Sequence, residues 1–95
     1  MPTNKPFLCA TAARIYPVSR EIEVALENGD IYRCLLSILS ERLQLVHSSL
    51  LMEWEWIGPQ AGIHWPAVDE DVSVESIVAN GVRCEPATEA LVEVH

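Results

Sequence analysis

The densest run of groups able to do chemistry lies in the second half of the chain, where Asp69, Asp71, Ser73 and Glu75 occupy alternate positions. Calcium loops bring carboxylates and other oxygens together at such spacing. The match is incomplete. Val74 stands where the turn needs glycine, and Asn80 where a bidentate glutamate would close the site. An acidic approach to a helix N-terminus, where unpaired amides favour negative charge, accounts for the same residues with fewer demands. Trp54, Trp56 and Trp65 offer flat indole surfaces for stacking, but a thin core would also claim them. His64 lies between two positions expected to point inward, so it is expected on the other side of its strand. No serine or cysteine nucleophile sits at a recognisable offset from it.

The other patterns exclude more than they include. His47, His64 and His95 do not combine with Cys9, Cys34 and Cys84 at metal-ligand spacing, and the four glycines form no phosphate loop. The sequence therefore predicts no catalytic residue, no metal ligand set and no cofactor. The three cysteines, an odd number without a C-x-x-C pair, are read as reduced thiols. That reading, with no apolar run of transmembrane length, predicts a cytoplasmic and bacterial setting.

Charge narrows the partner. Up to Met52 five basic residues balance five acids, whereas from Glu53 onward nine acids face Arg83 alone, so the net charge of −8 belongs to the second half. Six scattered Lys and Arg give no stripe for phosphates, so direct nucleic-acid binding is not expected. The same field repels anionic membranes and attracts a basic protein.

These groups need elements to hold them. With 95 residues, 49% of them hydrophobic and 21% charged, the chain has room for one modest core. Self-association would help such a core, and a homodimer is expected. Ala12–Val18 reads as a strand that Pro17 suits to an edge. Ile22, Val24 and Leu26 alternate with Glu21, Glu23 and Glu27, and Asn28-Gly29 supplies a hairpin turn into Ile31–Leu35. A two-residue loop would put Arg33 on the buried face. A three-residue loop with a Gly29 bulge instead pairs Glu23 with Arg33 outside, and that register is expected. Leu36, Leu39, Leu43 and Val46 then follow helical spacing, with Ser37 or Ser40 as the cap. Ser49 is expected to cap a further helical turn. Glu53–Trp65 reads as a second hairpin around Gly58-Pro59-Gln60-Ala61-Gly62. A last helix is expected from Val74 to about Ala79, capped by Ser73 and stopped by Asn80-Gly81.

The string Trp54-Glu55-Trp56-Ile57-Gly58, followed by Gly62-Ile63-His64-Trp65-Pro66-Ala67-Val68-Asp69-Glu70-Asp71-Val72-Ser73-Val74-Glu75, resembles the bacterial family known as domain of unknown function 2442. The hairpin around Asn28-Gly29-Asp30 resembles it too. The resemblance implies a small α+β domain without an established enzymatic activity, and a suggested link to toxin–antitoxin pairs.

Together these readings predict an α+β fold: a small mixed domain of antiparallel β-hairpins packed against two or three short helices. Residues 1–11 form an N-terminal segment, 12–81 the domain, and 82–95 a tail or docking arm. The expected function is a non-enzymatic, antitoxin-like or regulatory module that binds a basic protein. Its candidate surface is Trp54, Trp56, His64, Trp65, Asp69, Glu70 and Asp71. The alternative is a small-ligand or metal site near Trp54, His64, Asp69 and Asp71.

Overall fold

A computed structural model of the chain describes residues 8–84. Its first half holds strands β1 (Ala10–Tyr16), β2 (Glu21–Leu26) and β3 (Ile31–Leu35), then helical segments α1 (Leu36–Leu39), α2 (Glu41–Leu45) and α3 (Ser48–Leu51). The second half holds β4 (Glu55–Ile57), β5 (Gly62–Trp65), β6 (Glu70–Ser73), α4 (Val74–Asn80) and β7 (Val82–Cys84). The strands form two antiparallel sheets in the orders β1-β2-β3-β7 and β4-β5-β6, so the fold is α+β.

The first hairpin has the expected register. Glu23 stands opposite Arg33, Gly29 takes a φ of +96°, and Leu26 N–H donates to Asp30 O at 2.8 Å across the loop. This register buries Ile22, Val24 and Cys34 and leaves the charges on the other face. There the contacts run diagonally. Arg33 Nε donates to Glu21 at 2.8 Å, while Glu23 accepts the Tyr16 hydroxyl at 2.6 Å and the Arg33 guanidinium lies 3.8 Å over the Tyr16 ring. Being partly solvated, the ion pair adds about 1 kcal/mol or less.

The helix expected from Leu36 is broken into α1 and α2. Ser40 leaves helical geometry at φ −162°, and its hydroxyl accepts from Leu43 N at 3.2 Å, so it ends one segment and caps the next. Serine competes in this way because its oxygen reaches a nearby amide. The break still lets Leu36 and Leu43 face the core. The next cap is His47 and not Ser49, because His47 Nδ1 accepts from Ser49 N at 3.1 Å. With the break, four short helical segments stand among the described residues where two or three were expected.

Two further elements differ from expectation. Glu70–Ser73, read as an approach to a helix, is a strand that pairs with β5, putting Val72 into the core. Val82–Cys84, assigned to the tail, pairs with β3 and extends the first sheet. The fold thus runs past the boundary expected at residue 81, and residues 85–95 of that expected tail lie outside the described residues. Gly81 makes the junction possible: a Cβ there would lie 2.6 Å from Ile77 O and 2.7 Å from Arg33 O, closer than side chains approach backbone. As expected, α4 starts at Ser73, whose hydroxyl accepts from Ser76 N at 3.0 Å.

One core joins the two sheets. Ile15, Ile22 and Val24 come from the first sheet, Ile63, Trp65 and Val72 from the second, and Leu36, Leu43, Leu51 and Ile77 from the helical segments. At about 25 cal/mol per Å² of apolar area removed from water, these residues are the main source of stability. Cys9, Cys34 and Cys84 are free thiols, and burial raises the pKa of Cys34.

Candidate interaction face on the second sheet

Because side chains alternate along a strand, register decides which groups meet. In the second sheet Glu55 stands opposite His64, and His64 opposite Asp71, making one row across three strands. The next row, Trp56, Ile63 and Val72, points the other way, into the core. Gly58 at φ +59° and Gln60 at φ +64° turn the chain between β4 and β5. Asp69, at φ +53°, ends the turn that leads into β6.

The central contact of the outer row is His64 Nδ1 to Asp71 Oδ1 at 2.5 Å. Protonated His64 donates from Nδ1 to the carboxylate, so the bond favours the charged ring. Its pKa is therefore raised above the ordinary histidine value. The hydrogen bond to Asp71 is the main cause, partial burial opposes it, and the charges of Asp71, Glu55 and Asp69 reinforce it. In an NMR titration His64 is expected to titrate above about 6.5, and Asp71→Asn to bring it down. Since the folded-state pKa is the higher one, the stability that comes from the charged histidine is fully present below about 6.5 for as long as Asp71 is ionised. That contribution is lost as pH rises through the folded-state value.

The other expected surface residues divide. Trp65 is 1% exposed and its Nε1–H donates to Leu51 O at 3.0 Å, so it has no face left for a ligand. Trp54 and Trp56 are half-buried against the core, with ring centroids 5.2 Å apart in an edge-to-face arrangement. Glu70 is half-buried and lies 3.7 Å from Arg42, which also donates to Val68 O at 3.1 Å. Arg42 thereby ties α2 to the turn before β6. His64, Asp69 and Asp71 remain together, and Glu55 joins them. Glu55 was not expected there, because only the pairing of β4 with β5 sets it opposite His64.

The calcium-like spacing does not produce a cage. Asp71 and Ser73 lie in a strand, where alternate residues are roughly 6.5 Å apart and run parallel instead of converging. The Ser73 hydroxyl is engaged by Ser76 N. Among the described residues no group of three His, Cys, Asp or Glu side chains is placed to hold a metal ion. Nor is any helix among them long and apolar enough to cross a membrane.

The family model described as "Protein of unknown function (DUF2442)" matches residues 10–83, from the first residue of β1 into β7. The chain belongs to the DUF2442 family. No curated protein and no solved structure matches it. The DUF2442 match spans both sheets and includes the whole Glu55–His64–Asp71 row, so the face just described is built within the family domain.

Proposed function

We propose that this DUF2442 domain is a non-enzymatic protein-interaction module whose second sheet takes a basic partner on its outer face. The observation that carries the reading is the register-matched row of Glu55, His64 and Asp71, with Asp69 acting on the same histidine. Adjacent carboxylates on a sheet that is packed on its other side make a fixed negative surface. Such a surface speeds encounter with a positive one and selects against acidic competitors. An antitoxin-like neutraliser, covering the basic surface of another protein in the cytoplasm of a bacterium, is the specific form of this reading. A small-ligand site is the weaker alternative, since Trp54 packs toward the core while His64 faces outward, so the two do not line one cleft.

The test is retention of partners from the native host on the full chain, at low and then high salt. It is run beside a Glu55→Gln, Asp69→Asn, Asp71→Asn triple variant. The expected result is a basic protein held at low salt, released at high salt and not retained by the variant. Emergence of the chain alone in every condition counts against the reading, and so does a partner whose retention ignores both salt and the variant.

A further inference from the structure

Hydrogen-bond direction alternates along a strand, so the pairing of β2 determines which groups of β1 are free. Leu36 N–H donates to Arg20 O at 3.0 Å and Leu26 N–H to Asp30 O at 2.8 Å, both on the β3 side of β2. Ile22 and Val24 therefore bond toward β3, and Glu21, Glu23 and Ala25 toward β1. Their partners Tyr16, Arg14 and Ala12 turn their backbone groups to β2, leaving those of Ala13 and Ile15 aimed away from the sheet. Among the described residues no strand lies on that side. Among the described residues, only the start of β1 is closed, where Ala10 N–H donates to Gln60 O at 2.9 Å.

Open edges are normally blunted by shortness, lysine or proline. β1 is seven residues long, longer than any other described strand, has neither lysine nor proline within it, and its one bulge, between Ala10 and Ala12, lies at the end that Gln60 closes. We infer that β1 is a self-association edge, where two copies of this chain pair antiparallel with Ala13 opposite Ala13. The product is a continuous eight-stranded sheet, four strands from each copy.

The register follows from the residues. Centring on Arg14 sets two guanidinium groups against each other, and like charges directly opposite are destabilising. Centring on Ile15 sets Ala13 against Pro17, which has no N–H to donate. Centring on Ala13 avoids both and lays Arg14 of one copy beside Ala12 of the other. The small side chains there leave a hollow of about 130 Å³ lined by Ala12, Ala13, Arg14, Glu23 and Ala25. Glu23 in its wall gives the incoming guanidinium an opposite charge. The twofold axis repeats this exchange, so one surface serves as both donor and acceptor. Charge distribution favours a second copy as well: β1 lies in the neutral half of the sequence, while the acidic second sheets need not meet.

The test is the mass of the full chain by sedimentation equilibrium, with circular dichroism to confirm folding. Ala13→Pro removes an outward N–H without touching the bonds to β2. Ala12→Lys, at an exposed position, sets a cation beside Arg14 of the second copy. Wild type is expected at twice the chain mass, and both variants at the single-chain mass with unchanged dichroism, a weakening of about tenfold or more. Wild type that stays single up to about 1 mM overturns the inference. So does Ala12→Lys that remains double. If Ala13→Pro loses its fold, Ala12→Lys alone decides.

Discussion

Trp65→Ala is expected to cost about 3–5 kcal/mol, the range for removing a large aromatic side chain from a core. Whole-domain stabilities are commonly about 5–15 kcal/mol, so the variant should be largely unfolded well below the wild-type urea midpoint. Two features put it at the upper end. The ring is 1% exposed and touches both the sheet and the α3 side of the core, so little of the space it leaves can be filled by local collapse. Its Nε1–H also satisfies Leu51 O, at 3.0 Å, and alanine leaves that carbonyl without its donor. Trp65→Phe separates the two contributions. It keeps much of the volume and loses only the hydrogen bond and some packing, so a loss of about 1–3 kcal/mol is expected. Urea denaturation followed by far-ultraviolet dichroism measures both. Trp65→Ala within about 1 kcal/mol of wild type would place the indole outside the core.

The residues that announced themselves in the sequence were those whose environment is set by neighbours along the chain. The period of two in Glu21–Leu26 sufficed to determine the face, and Asn28-Gly29 with the Glu23–Arg33 pairing sufficed to determine the register, because both are local. Ser73 and Asn80-Gly81 bracket α4 for the same reason. The second sheet was only half legible. Trp54, Trp56, Ile63 and Trp65 show alternation, but β6 contributes one buried residue, Val72, amid acids, so its strand character comes from pairing with β5 and not from its own pattern. Missing β6 also hid the row Glu55–His64–Asp71. A row across strands exists only once three strands are in register, and Asp69, Glu70 and Asp71 read in sequence look like a single acidic run. In the fold they separate: Asp69 at a turn, Glu70 toward Arg42, Asp71 on His64.

Long-range ties were invisible for a stronger reason, and Arg20 is the clearest case. It sits in the turn between β1 and β2 at φ +59°, with its N–H donating to Tyr16 O at 2.7 Å. Its carbonyl accepts from Leu36 N at 3.0 Å. Its Nη2 donates to Leu43 O at 3.1 Å and to Val46 O, two carbonyls at the C-terminal end of α2. One residue therefore fixes a hairpin turn, the start of α1 and the end of α2. Nothing in the sequence around it points more than twenty positions ahead.

Arg20 carries a further prediction, in which side chain and backbone pull in opposite directions. Hydrogen bonds from a charged donor contribute roughly 1.5–3 kcal/mol, so Arg20→Ala is expected to lose about 3 kcal/mol and to leave two carbonyls without their donor. Alanine also keeps the penalty of a left-handed backbone, about 1 kcal/mol, which glycine does not have. Arg20→Gly removes the same donor and relieves that penalty, while its freer unfolded chain returns part of the gain. The expected order of urea midpoints is wild type, then Arg20→Gly, then Arg20→Ala, the two variants differing by roughly 0.5–1 kcal/mol. Hydrogen exchange should quicken first at the amides of α2, because its last turn loses the anchor. Equal midpoints for the two variants would mean that the turn relaxes out of its left-handed geometry once the guanidinium is gone. The conformation at Arg20 would then be a consequence of the tie to α2 and not an independent property of the turn.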